Sequence, residues 1–157
     1  MATRKIILQG NELLTKKSKV VQNFDEKLAE LLDDMYETMV INNGIGLACP
    51  QVGILKRVVV VDVDGIKLDM VNPEIISRKG EEEGVEGCLS VPNIQGFVKR
   101  PTTITVKAFN RYGEEYTLTA HGMLCRCICH EVDHLDGILF TDIMTGIYTP
   151  EKNKNKK

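Results

Sequence analysis

The stretch Cys127-Ile128-Cys129-His130-Glu131-Val132-Asp133-His134 limits this chain more than any other. It contains His-Glu-x-x-His, two imidazoles four residues apart with a carboxylate beside the first. On a helix that spacing is slightly more than one turn, so both rings leave one face and can grip one metal ion. Glu131 lies on the flank of that face, within reach of a metal-bound water without being a ligand. Met123, Leu124, Cys127, Ile128 and Leu135 recur at helical spacing, and Asp136-Gly137 is a stop signal. The pattern is short and occurs by chance, so a charged helix with two incidental histidines is its bland alternative. A third ligand decides between them.

Spacing removes several zinc-protease arrangements. The metzincin pattern places a histidine where Phe140 stands, and the thermolysin arrangement needs a glutamate on a later helix. Asp136, Asp142 and Glu151 follow His134 without such a helix, so the ligand is sought upstream. Cys127 is one turn before His130 and starts about 7 Å from the metal along the axis, at ~1.5 Å rise per residue. A cysteine side chain with a ~2.3 Å bond hardly covers that distance. His121 precedes the helix and has nothing else in its favour. Cys88, on the glycine-flanked stretch Gly84-Val85-Glu86-Gly87-Cys88-Leu89-Ser90-Val91-Pro92, is the best candidate. A thiolate and two imidazoles leave a fourth position for water, as catalytic sites do.

The rest of the chain has to build a scaffold for such a site. At 157 residues, 43% hydrophobic, it can bury one real core. A net charge of -2 gives no reason to expect general nucleic-acid binding. No apolar run reaches membrane-span length and Met1 to Lys5 is not a signal peptide, which points to the cytoplasm. The five cysteines (Cys49, Cys88, Cys125, Cys127, Cys129) then read as thiols, mostly buried.

In chain order, Asn11-Glu12-Leu13-Leu14 starts a helical turn. Asn23 with Glu26 resembles a capping box for an amphipathic helix carrying Leu28, Leu31, Leu32, Met35, Tyr36 and Met39, which ends at Asn42-Asn43-Gly44. Gly44-Ile45-Gly46-Leu47-Ala48-Cys49-Pro50-Gln51 lacks the dinucleotide fingerprint. Its glycines suit close approach of an extended peptide, and Gln51 taken alone reads as a solvated side chain. Arg57 to Val63, Asp64-Gly65 and Ile66 to Val71 form a hairpin that Asn72-Pro73 ends, with a weaker strand around Glu74 to Arg78. Lys79 to Glu83 reads as a solvated loop, and the Cys88 stretch as kinked backbone rather than a regular strand. Thr103 to Phe109 and Tyr116 to Ala120 form a second hairpin. The expected organisation is a single catalytic domain over residues 1–148 and a disordered basic tail over 149–157.

Three stretches together carry a resemblance. Gly44 to Gln51, Glu86-Gly87-Cys88-Leu89-Ser90 and His130-Glu131-Val132-Asp133-His134 resemble, in order and separation, the three signature motifs of peptide deformylase. The resemblance implies an α+β fold of mixed, mostly antiparallel β-sheets packed around a central metal-binding helix, with an N-terminal helix. It also implies removal of the formyl group from N-formylmethionine on nascent peptides. Cys88, His130 and His134 would hold one divalent ion, generally Fe2+ in the family, with Zn2+, Ni2+ or Co2+ accepted by the same donors. Glu131 would carry the proton. The Gln51 side chain and Leu89 backbone N–H would face the developing oxyanion. Backbone at Gly46 and Gly87 would align the peptide, Met123, Cys127 and His130 would line the methionine pocket, and Arg100 would lie near it, with surface solvation an equal reading.

Two positions depart from the family pattern: Cys49 where alanine is usual, and Cys129 where glutamine is usual. The tail is also shorter than in members that carry a long C-terminal helix, so ribosome docking by that helix is not expected; the basic tail reads as solvated, with contact to ribosomal RNA the lesser alternative. Two other function classes fit the residues alone. One is a metallopeptidase acting on ordinary amides; the other is a structural metal module closed by Cys125 or Cys129.

Overall fold

The computed structural model describes residues 2–150. Two helices cover the two faces of one antiparallel sheet, and a smaller sheet stands beside them. Helix α1, Glu26–Ile41, turns Leu28, Leu31, Leu32, Met35, Tyr36 and Met39 inward at the expected 3- and 4-residue spacing. Its cap differs from expectation. Asp25, not Asn23, accepts the Leu28 N–H at 3.0 Å. A residue one position before the first helical turn reaches that donor; Asn23 lies too far upstream.

The large sheet contains β1 (Gly46–Ala48), β2 (Val58–Val63), β3 (Ile66–Lys79), β6 (Thr103–Phe109) and β7 (Glu115–His121), in the order β1-β2-β3-β6-β7. Asp64 and Gly65 both adopt positive φ, 50° and 83°, making the tight β2–β3 turn. β2 is a near-continuous valine run because both its faces are covered. Val59, Val61 and Val63 pack toward helix α2 (Gly122–Leu135), while Val58 and Val60 pack toward α1.

Asn72-Pro73 does end the pairing with β2, whose last pair is Val58↔Val71, but it does not end the strand. β3 continues to Lys79 through a register shift between Val71 and Glu74, with Asn72 at φ 52°. The Asn72 amide takes both backbone groups of Val21, at 2.8 and 3.0 Å, and so ties the N-terminal segment to the bulge. The irregularity is a docking point.

The second sheet, ordered β4-β5-β8, pairs β4 (Glu82–Cys88), β5 (Val91–Arg100) and β8 (Gly146–Ile147). The sequence reading did not anticipate it: Glu82 and Glu83 are strand, not loop. β4 pairs regularly from Glu82↔Arg100 to Gly87↔Gln95, then jumps to Cys88↔Val91. Cys88 therefore does sit at a kink, but at the end of a regular strand. α3 (Phe140–Ile143) closes the third cluster, Leu14, Val91, Val98, Leu139 and Phe140. The tail 151–157 lies outside the described residues.

Candidate metal centre and cleft

α2 is buried over most of its circumference, lying between the large sheet and the cleft beside β4. His130 and His134 leave the same face, with ring centroids 5.0 Å apart. The register jump after Gly87 brings the Cys88 sulfur 3.3 Å from His134 Nε2. One donor atom from each of Cys88, His130 and His134 lies within 4.8 Å of the others. A tetrahedral ion bonded at about 2.0 Å to nitrogen and about 2.3 Å to sulfur holds its donors roughly 3.3–3.6 Å apart. The ring fits such an ion. Among the described residues no further cysteine, histidine or carboxylate joins it. Cys125 and Cys129 belong instead to the core between α2 and the sheet.

His130 is oriented from behind. Its Nδ1 is 2.9 Å from Glu86 Oε1, which leaves Nε2 for the ring. Arg100 clasps the same carboxylate with Nε and Nη2 at 2.8 and 2.9 Å, and Arg126 adds Nη1 at 2.9 Å. Burial alone would raise the Glu86 pKa, but hydrogen bonds from Arg100 and His130 outweigh it and hold the carboxyl down at about 2. Glu86 is thus a permanent anion behind the first imidazole.

Glu131 is placed otherwise. It is buried, its Oε1 has no partner among the described residues, and burial pushes its carboxyl up to about 7. A carboxyl poised near neutrality can accept a proton and return it. Gln51, expected to be solvated if taken alone, is 1% exposed. Its Oε1 accepts the Ala48 N–H at 2.9 Å, so its Nε2 points at Ser90 Oγ (3.1 Å) and the Cys88 sulfur (3.5 Å). The amide is fixed with its donor edge toward the ring.

A cleft of about 710 Å³ opens over these groups, lined among others by Gly46, Gln51, Gly87, Leu89, Met123 and Cys127. Gly46 is small for a packing reason: a Cβ there would sit 2.7 Å from both the Cys127 sulfur and Glu131 Oε2. Arg100 is the exception among the expected site residues. It does not line the cleft, and it is only 6% exposed, with Nη1 also bound to Asp133 at 2.6 Å. Its guanidinium is committed to two carboxylates, so neither solvation nor direct peptide contact describes it.

Sequence reasoning assigned no role to Glu86 or Arg126, which meet behind His130. Glu86 stands 44 positions from His130 and 40 from Arg126, and no local pattern marks such pairs. The one available signal was a glutamate between glycines, two residues before the candidate ligand.

A cysteine and two histidines able to hold an ion, a buried carboxyl beside them and an oriented amide donor are the parts of a metal-dependent hydrolase, set on an α+β scaffold. The family model described as "Polypeptide deformylase" matches residues 3–149. The chain is 52% identical to "Peptide deformylase" of Caldicellulosiruptor bescii, over 100% of this chain and 95% of that one. It is 48% identical to "Peptide deformylase 1" of Bacillus subtilis, over 97% and 96%. Among solved structures, the Thermotoga maritima peptide deformylase superposes with a TM-score of 0.90 at 39% identity, covering 91% of this chain and 98% of that one. The Legionella pneumophila enzyme gives 0.88 at 42%, covering 98% and 90%. The chain belongs to the peptide deformylase family, metal-dependent hydrolases that remove the N-formyl group from nascent peptides.

Proposed function

We propose that Cys88, His130 and His134 hold one divalent ion, Fe2+ in the cell, and that the other cleft residues divide the work of deformylation around it. The observation that carries this is the ring itself, with Glu131 buried beside it and the Gln51 amide aimed at it. A divalent ion bound there supplies Lewis acidity and an acidified water. The ligand thiolate cancels one positive charge, so proton removal rests more heavily on Glu131 than it would beside three neutral imidazoles. Glu131 takes the proton of the attacking water and passes it to the departing amine. Gln51 Nε2 and the Leu89 N–H donate to the developing oxyanion, a contribution of about 3 kcal/mol per donor.

Backbone at Gly46 and Gly87 aligns the peptide from the two sides of the cleft. Met123 and Cys127, with the edge of His130, receive the methionine side chain. Arg100 acts at a distance, by holding Glu86 and Asp133. Residues 1–148 form one catalytic domain. The natural substrates are N-formylmethionyl chains emerging in the cytoplasm. No helix among the described residues is long and apolar enough to cross a membrane.

Formate release from a formyl-Met peptide, measured on the Fe2+-loaded enzyme and on Glu131→Ala, tests the chemistry. The variant should bind the metal and lose at least a hundredfold in kcat, in line with the ~10²–10⁴ typical of acid–base catalysis. Full activity in Glu131→Ala would remove the proton-carrier role. Amine release from unformylated peptides would instead favour an ordinary peptidase.

A further inference from the structure

We propose that Arg126 is a positioning residue for the metal ring: acting through Glu86, it fixes the His130 imidazole and thereby sets metal affinity. This rests on the ring assigned above. Arg126 lies one helical turn before His130 on α2, at the cleft wall, and is 9% exposed. Nη1 donates to Glu86 Oε2 and to the Val98 carbonyl, both at 2.9 Å, and Nη2 donates to the Glu82 carbonyl at 3.0 Å. The group is thereby bound to β4 and β5 at once. Gly84 completes its seat: a Cβ there would lie 2.9 Å from Cζ, 2.9 Å from Nη2 and 3.1 Å from Nε, directly over the guanidinium face.

The Glu86 carboxylate has four acceptor directions, and all four are filled. Oε1 takes Arg100 Nη2 and His130 Nδ1; Oε2 takes Arg100 Nε and Arg126 Nη1. Arg100 cannot hold the carboxylate alone as firmly, because Asp133 pulls its third nitrogen at 2.6 Å. Arg126 adds a second charged donor on Oε2, beside Arg100 Nε. Remove it and Oε2 loses a charged donor inside a site that is 4% exposed, so the carboxylate turns and His130 turns with it. The glutamate and first histidine of this chain are therefore supported by an arginine whose hydrogen bonds all go to β4 and β5 and none to the ring.

Zn2+ affinity measured by competition with a chromophoric chelator tests this without reference to turnover. The variants are Arg126→Met, Arg126→Lys and Gly84→Ala, with melting curves to confirm folding. Arg126→Met should bind Zn2+ about ten- to a hundredfold more weakly, the usual effect of losing such a support. Arg126→Lys should fall between it and the wild type, since one ammonium cannot make the three contacts. Gly84→Ala, which pushes the guanidinium aside but keeps its charge, should weaken binding in the same direction and covers the case in which Arg126→Met does not fold.

The double variant separates positioning from simple anchoring of the helix. On a Glu86→Gln background, Arg126→Met should cause no further loss of Zn2+ affinity. An undiminished further loss, or affinities within twofold of wild type for both Arg126→Met and Gly84→Ala, would overturn the proposal. Cys88→Ser is the control for the ring: if it binds Zn2+ as tightly as wild type, the ring assignment fails, whatever Arg126 does.

Discussion

Replacing Gly46 by alanine adds one methyl group at the tightest point between the cleft wall and α2. The backbone there is not in the left-handed region, so alanine meets no conformational penalty and the effect is that of the methyl alone. The new carbon would stand 2.7 Å from the Cys127 sulfur, 2.7 Å from Glu131 Oε2 and 3.0 Å from Glu131 Cγ. Ordinary contact begins near 3.4 Å, so strand and helix must part by about 0.7 Å or Glu131 must swing away. Overpacking on this scale costs about 1–3 kcal/mol of stability. A catalytic carboxylate displaced by that distance costs up to about a hundredfold in rate.

The expected result for Gly46→Ala is a folded protein, a melting temperature lower by a few degrees, and kcat for formate release reduced ten- to a hundredfold. Metal content should stay at the wild-type level, because the ring donors do not touch Gly46. Adding Cys127→Ala should remove one of the two obstructions and restore part of the lost stability, leaving the Glu131 contact and most of the kcat loss. A Gly46→Ala enzyme with kcat within twofold of wild type would refute the reasoning, since it would mean that Glu131 can move freely without consequence.

Other substitutions probe the scaffold. Asn72→Ala removes both hydrogen bonds to Val21 and puts at φ 52° a residue that tolerates the left-handed region less well than asparagine, so urea titration should show a loss of about 2–4 kcal/mol. Asn72→Gly should recover only the backbone share. Asp34 is held below its ordinary pKa, chiefly by the Ala2 N–H and then, against burial, by Arg4. Its depressed value means that the stabilisation is complete above the unfolded carboxylate's pKa and disappears as pH falls through the folded one. The stability gap between wild type and Asp34→Asn should therefore be about 1 kcal/mol at neutral pH and close under acid, read from urea midpoints across pH. Cys49 is buried in the α1 core, where burial pushes its thiol up to about 12. Iodoacetamide at pH 8 followed by mass spectrometry should find Cys49 unmodified in the native protein and modified after denaturation.

What could be read from the chain alone follows from how local each signal is. The α1 stripe, the Asp64-Gly65 turn and the His130–His134 spacing are set within a few residues, and each appears where expected. β4 was missed for a physical reason. Its only fully buried side chain is Glu86, so the alternation of apolar and polar residues that marks a half-buried strand is absent. β5 conceals itself similarly, with Pro92 and Asn93 looped out beside the register jump. Gln51 looked like a surface residue because its partners, Ser90 and Cys88, are more than 35 positions away.

The same contrast separates the ring from its support. Two of the proposed ligands, His130 and His134, come from one turn of one helix, so helix geometry alone brings them together. The sulfur arrives by a different route: β4 must pair with β5, lose register at Gly87 and turn toward α2. Nothing in Cys88 itself enforces that approach. Glu86 does, because two residues before the sulfur it is bound to His130 on one side and to two arginines on the others. The ion cluster therefore docks β4 onto α2 at the level of the first histidine, and this docking sets where the thiol ends up. On this account Glu86→Gln should cost more metal affinity than a single lost hydrogen bond to His130 would, because it loosens the cysteine as well as the imidazole. A Zn2+ affinity for Glu86→Gln within threefold of wild type would show that the strand finds its place without the carboxylate.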